Sequence, residues 1–70
     1  MKGNEFIKKV KKLAKKRGIE AYVDTKRGKG SHVTLYFGDH VTIVRNPKDE
    51  LKTGTFQAML NQLGIAEHEI

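Results

Sequence analysis

Apolar residues recur at helical spacing through the first part of the chain, and lysines fill most of the positions between them. The apolar stripe consists of Phe6, Ile7, Val10, Leu13 and Ala14. Asn4 is the predicted N-cap of this helix. Gly18 is its predicted end, because glycine readily takes the left-handed conformation that stops helices. The pattern therefore predicts an amphipathic helix between these two residues.

Apolar and polar residues alternate between residues 19 and 45, which predicts three strands over 19–26, 32–37 and 40–45. Gly38-Asp39 is a two-residue hairpin turn between the last two strands. In the third strand we expect Val41 and Ile43 to face the core. The side chains predicted to line the opposite, open face of the sheet are Tyr22, His32, Thr34, Tyr36, His40 and Thr42.

A second amphipathic helix is predicted from Thr53, its N-cap, to Gly64, with Ile65 folding back over its end. Residues 66–70 are expected to be frayed or to be used by a partner. The order α-β-β-β-α predicts an α+β fold in which two helices cover one face of a three-stranded antiparallel sheet. This arrangement is similar to a double-stranded-RNA-binding domain. We expect a single domain over residues 1–70, with its core at about 3–65.

The charge is distributed unevenly along the 70 residues. Residues 1–35 carry 11 Lys/Arg and 3 Asp/Glu (+8), and residues 36–70 carry 3 Lys/Arg and 5 Asp/Glu (−2), which together give the net charge of +6. A basic half of this kind is typical of proteins that bind polyanions, although lysines also serve solubility. The absence of cysteine favours a reducing cytoplasm and excludes disulfides. No segment is apolar enough to indicate a membrane span or a signal peptide.

His32 is the candidate catalytic residue. It follows a basic glycine-rich loop, Lys26 to Ser31, and is predicted to face outward at the start of a strand. Imidazole can take a proton from an RNA 2′-hydroxyl near neutral pH, and nearby cations can stabilise the charge that develops on the phosphate. The alternative is that His32 is an ordinary polar residue on the solvated side of a strand. That alternative is stronger still for His40 and His68.

Other residues are candidates for RNA contacts. The loop contributes Lys26, Arg27, Lys29 and Ser31, the open sheet face contributes Tyr36, and the first helix contributes Lys8 and Lys12. Metal-ligand spacing and a phosphate-binding P-loop are both lacking, so no metal and no small-molecule cofactor are expected. Two other functions stay open: a non-catalytic RNA-binding module that uses the same basic sheet face, and an interaction protein whose basic face meets an acidic partner.

Two motifs at a fairly specific spacing resemble the HicA toxin family. Gly30-Ser31-His32 precedes a strand, a turn and a strand, and Glu50-Leu51-Lys52-Thr53-Gly54-Thr55 precedes an amphipathic helix that ends in Gly64-Ile65. The resemblance covers residues 3 to 65. It implies a double-stranded-RNA-binding-like fold, an mRNA interferase activity without metal, and a catalytic histidine at position 32. It also implies neutralisation by a HicB antitoxin that covers the active face.

The chain departs from the family pattern at three positions. Many relatives carry a second histidine directly after the motif, where this chain has Val33, and another before the proline-containing loop, where it has Asn46. Thr53 stands where proline is common. A scheme with two histidines as acid and base therefore lacks a partner, so the leaving 5′-oxygen would be protonated by water or stabilised by Lys29.

Overall fold

The computed structural model describes residues 1–25 and 32–70. Its elements are α1 (Gly3–Arg17), β1 (Ala21–Asp24), β2 (Val33–Phe37), β3 (His40–Val44), α2 (Thr53–Leu63) and a 3-10 turn (Glu67–Glu69). The strands form one antiparallel sheet in the order β1-β2-β3. The predicted α-β-β-β-α architecture is confirmed, with strands that are shorter than predicted.

The helix ends agree with the sequence better than the helix starts. Gly18 and Gly64 both take the left-handed conformation, each with φ of 69°, and both end their helices as predicted. The predicted N-caps are wrong by one or two residues, because the N-cap positions are held by Lys2 in α1 and Lys52 in α2, neither of whose side chains makes a capping hydrogen bond. At α1 the carboxylate of Glu5 accepts a bond from the Lys2 backbone N–H at 3.4 Å, which satisfies one amide at the helix start.

The register of the sheet reverses the predicted faces of β3. Phe37 lies opposite His40, and Leu35 lies opposite Thr42. Because directly opposite residues share a face, Thr42 points into the core and is only 3% exposed, whereas Val41 and Ile43 are 46% and 55% exposed. The prediction is therefore wrong for Val41 and Ile43, expected inside, and for Thr42, expected outside. His40 is exposed, but it lies on the face of Phe37 and not on the open face.

Both helices cover the same face of the sheet, and the core lies between them and the strands. Its buried members are Phe6, Val10, Leu13, Ala14, Leu35, Phe37, Val44, Met59, Leu60, Leu63 and Ile65. The rings of Phe6 and Phe56 meet edge to face with centroids 5.9 Å apart and join the two helices. The buried Thr42 hydroxyl donates to Oε1 of Gln62, so this polar group retains a partner inside the fold.

The segment between β3 and α2 closes over the start of α1. The backbone N–H groups of Gly3 and Asn4 donate to the carbonyls of Asp49 and Pro47, at 3.1 and 2.8 Å. These bonds satisfy helix-start amides that no helical carbonyl can reach. Glu50, at the end of this segment, pairs with the Met1 ammonium at 2.7 Å, and this contact lowers the pKa of the carboxyl.

Residues 66–70 fold back onto the helices. Glu69 pairs with Arg17 of α1, and Glu67 accepts a bond from Gln57 of α2. Ile70 is partly buried against the core. The expectation of a frayed tail is therefore wrong, because these contacts tie the segment to both helices.

Candidate functional site

The fold brings the start of the central strand and the starts of both helices to one end of the molecule. β1 ends at Asp24, β2 begins at Val33, and Asp24 pairs with Thr34, so the chain leaves and re-enters the sheet at the same end. Gly3 of α1 packs beside Val44 at this end. We call it the loop end, defined by Asp24, His32 and Val44. The opposite end holds the Gly38-Asp39 turn.

His32 lies at the loop end, exposed, directly before β2. β2 is the central strand and is paired on both sides, so the backbone that carries His32 into the sheet is firmly held. Such a position suits a side chain that transfers protons, because the side chain must be held by a rigid backbone and must be open to a polymeric substrate.

The loop residues predicted to contact RNA, Lys26, Arg27, Lys29 and Ser31, lie outside the described residues. Their described neighbours, Thr25 and His32, are both exposed.

Tyr22 and Tyr36 form a stacked pair on the open face of the sheet. They are cross-strand partners, with ring centroids 4.7 Å apart and an interplanar angle of 16°. Tyr22 is 50% exposed and Tyr36 is half-buried. The sequence prediction placed both rings on this face, and the structure confirms it. The pair offers an aromatic surface, and its Tyr36 belongs to β2, the strand that begins next to His32.

Lys8 and Lys12 are exposed on α1, on the side opposite its buried residues Phe6 and Val10. Since α1 covers one face of the sheet and Tyr36 lies on the other, the sheet separates these lysines from the tyrosine pair. The structure therefore does not bring the helix lysines and the open-face residues into one continuous site.

The three histidines occupy separate places. His40 lies opposite Phe37 at the turn end, with its ring beside Gly64. His68 lies in the 3-10 turn and is exposed. Over residues 1–25 and 32–70, no group of three His, Cys, Asp or Glu side chains could hold a metal ion.

The model of the family described as HicA toxin of bacterial toxin–antitoxin matches residues 7–65, which include His32 and all five helices and strands in whole or in part. The chain belongs to the HicA toxin family. It is thus a toxin of a toxin–antitoxin system. Searches of curated proteins and of solved structures gave no significant match. None of the helices in the described parts of this HicA chain has the length and apolar character needed to cross a membrane.

The strands of this HicA chain contribute no cation to the open face, and the cations that the sequence placed beside it, Lys26, Arg27 and Lys29, lie outside the described residues. None of the residues of β1, β2 and β3 is lysine or arginine. Exposed Val41 and Ile43 extend the tyrosine pair across the sheet, since Val41 lies opposite Tyr36 and Ile43 lies opposite Thr34. Sequence reasoning missed this apolar surface. The two-residue turn was the signal that could have found it, because it fixes Phe37 opposite His40 and so sets the faces of β3.

Proposed function

We propose that this HicA toxin is a metal-independent endoribonuclease and that His32 is its general base. The main support for this proposal is the exposed histidine at the start of the central strand, in a chain that matches the family over residues 7–65. The other histidines support the choice by their positions. His40 sits at the far end of the sheet, and His68 lies beyond the matched residues.

In the proposed reaction, the His32 imidazole takes the proton of an RNA 2′-hydroxyl. The 2′-oxygen then forms a bond to the adjacent phosphorus while the bond from phosphorus to the 5′-oxygen breaks. The leaving 5′-oxygen takes a proton from water, either directly as the bond breaks or after Lys29 has stabilised its negative charge. The products are a 2′,3′-cyclic phosphate and a 5′-hydroxyl, and no electron transfer or metal is required.

The phosphate that gains charge in this step requires cations or amide donors. We assign this role to Lys26, Arg27 and Lys29, with Ser31 as a further donor, because they immediately precede His32 in the sequence. The Tyr36 ring would stack on a base of the substrate, as aromatic side chains do in single-strand binders. Lys8 and Lys12 would act at longer range, since they lie in the helix layer.

The partner that controls this activity is proposed to be a HicB-like antitoxin. It would block the reaction by covering His32 at the loop end. An exposed base on an open sheet has no protection of its own from bulk RNA, so a separate protein is a suitable means of restraint. We place this toxin in the cytoplasm, where its mRNA substrates are.

The decisive experiment compares His32→Gln with His40→Gln in an RNA cleavage assay that uses purified proteins of equal thermal stability. Glutamine keeps a polar side chain but cannot exchange a proton near neutral pH. Loss of a general base lowers the rate by roughly 10²–10⁴-fold. We expect this loss for His32→Gln and near wild-type cleavage for His40→Gln.

The same assay identifies the chemistry. An oligonucleotide with a single 2′-deoxynucleotide at the cleaved position should resist the wild-type toxin, and a chelator should leave the rate unchanged. Equal cleavage by His32→Gln and wild type would overturn the assignment. Salt-dependent RNA retention by the wild type, without new RNA ends, would instead show a non-catalytic RNA-binding module.

A further inference from the structure

β3 is an edge strand, and within residues 1–25 and 32–70 it has none of the usual protection against pairing. It carries no charged residue and no proline, and four of its five residues are β-branched: Val41, Thr42, Ile43 and Val44. Proteins commonly protect exposed edges with lysine, proline, bulges or a covering segment. Among the described residues, none outside the sheet makes a backbone hydrogen bond to β3. The edge is therefore chemically suited to accept another strand.

The backbone groups available at this edge follow from the turn. Gly38 has φ of +59° and begins a two-residue turn between Phe37 and His40. In such hairpins the flanking pair exchanges hydrogen bonds, and bonded pairs then alternate along the strand. Thr42 and Val44 consequently direct their peptide groups toward β2. Val41 and Ile43 direct theirs toward the free edge.

The surface around this edge is neutral, although the chain carries a net charge of +6. The helix beneath β3, α2, contains no charged residue. Val41 and Ile43 are about half exposed on the open face. A neutral apolar surface lacks the cations that hold a nucleic acid backbone, which makes protein the favoured occupant.

We propose that β3 pairs with β3 of a second copy of this chain, antiparallel and centred on Thr42. The charges that flank β3 are the reason for choosing a second copy of this chain as the partner. Pairing about Thr42 places Asp39 of one copy opposite Arg45 of the other, and the two-fold symmetry makes this contact twice. β3 is uncharged, with the acidic Asp39 before it and the basic Arg45 after it. Two antiparallel copies of β3 in this register are therefore complementary in charge.

The same register joins the available backbone groups. Val41 of one copy lies opposite Ile43 of the other, and these are the residues whose N–H and C=O groups face the edge. Their side chains meet on the open face, which removes exposed apolar area from water. The result is a six-stranded sheet with all four helices on one side. His32 lies before β2, outside the interface, so this pairing does not depend on the nuclease proposal.

Sedimentation equilibrium over a concentration series tests the pairing. We expect the wild-type toxin to form a reversible dimer, and Ile43→Lys to raise the dimer dissociation constant by at least about tenfold, or 1.4 kcal/mol. Tyr22→Lys is the matched control. It adds the same charge at a similarly exposed position of the same face, but on the opposite edge strand, and should leave the constant unchanged.

A charge exchange tests the register itself. Asp39→Arg and Arg45→Asp should each weaken the dimer, because each places like charges opposite one another. The double variant should restore it. A protein that stays monomeric at all concentrations, a double variant that fails to recover, or equal damage from Tyr22→Lys would overturn the proposal. So would a monomeric toxin whose antitoxin complex alone responds to Ile43→Lys, since the edge would then belong to the antitoxin.

Discussion

The two helices have the same structural role, but their exposed sides differ in charge. Both cover one face of the sheet, and both end at a glycine with φ of 69°. α1 carries six lysines and an arginine with a single glutamate, whereas α2 carries no charge. A buried apolar stripe is therefore enough to place a helix in this fold, whatever charge the exposed side of that helix carries. The exposed side is then free to attract a polyanion in α1 or to remain neutral beside the β3 edge in α2.

The largest effect expected from this comparison concerns the ring pair that joins the helices. Phe6 of α1 is fully buried and Phe56 of α2 is half-buried. Phe6→Ala should lower the free energy of unfolding by about 3–5 kcal/mol, because it leaves a cavity in the centre of the core. Phe56→Ala should cost about 1–2 kcal/mol, since less apolar surface is withdrawn from water. Urea unfolding measures both, and equal costs would contradict the asymmetry.

A smaller effect on stability is expected from glycine substitutions in the first turns of the two helices. Each first turn contains one glycine, and the two glycines should respond differently. A Cβ at Gly3 would lie 2.7 Å from Cα of Pro47, whereas a Cβ at Gly54 would meet nothing within 4 Å. Gly3→Ala should destabilise the protein by about 1–3 kcal/mol, because the backbone of the 46–50 segment must move. Gly54→Ala should stabilise it by up to about 1 kcal/mol through helix propensity. Thermal unfolding of the two variants should shift in opposite directions, and a shared direction would disprove the crowding at Gly3.

The smallest effect concerns the charged surface of α1. Lys8→Gln and Lys12→Gln should leave folding intact and weaken RNA binding uniformly across sequences. The slope of log affinity against log salt should fall by about 1 for each lysine that contacts a phosphate. Asn61→Ala on the exposed side of α2 is the control and should leave the slope unchanged. Unaltered slopes for both lysine variants would show that the basic side of α1 takes no part in binding.

The helices were predictable because their signals are local. The apolar stripe around Phe6 and Val10 fits helical spacing and not the alternation of a strand. Gly18 and Gly64 can each end a helix without any tertiary partner. The starts of the helices were harder to predict. α1 begins directly after Lys2 because the carbonyls of Asp49 and Pro47 accept bonds from the next two amides. These carbonyls belong to a segment more than 40 residues away in the sequence.

The candidate site was predictable in part. The sequence placed His32 outward at the start of a strand and put both tyrosines on the open face, and the described structure agrees. The predicted layers, with both helices on one face and Tyr36 on the other, already separated Lys8 and Lys12 from Tyr36, and the structure agrees. What the prediction missed is that Val41 and Ile43 share the open face with Tyr36.

By itself the sequence determined the order of the elements, the ends of the helices and the outward position of His32, because each depends on periodicity or on a single residue type. The tertiary structure decided the faces of β3 and the place of residues 66–70. In Val41-Thr42-Ile43-Val44 both faces carry β-branched side chains, so the hydrophobic pattern of the strand does not distinguish inside from outside. The pairing with β2, which the two-residue turn sets, does so. The tail is held by Arg17 and Gln57, and only the folded chain brings these residues to Glu69 and Glu67.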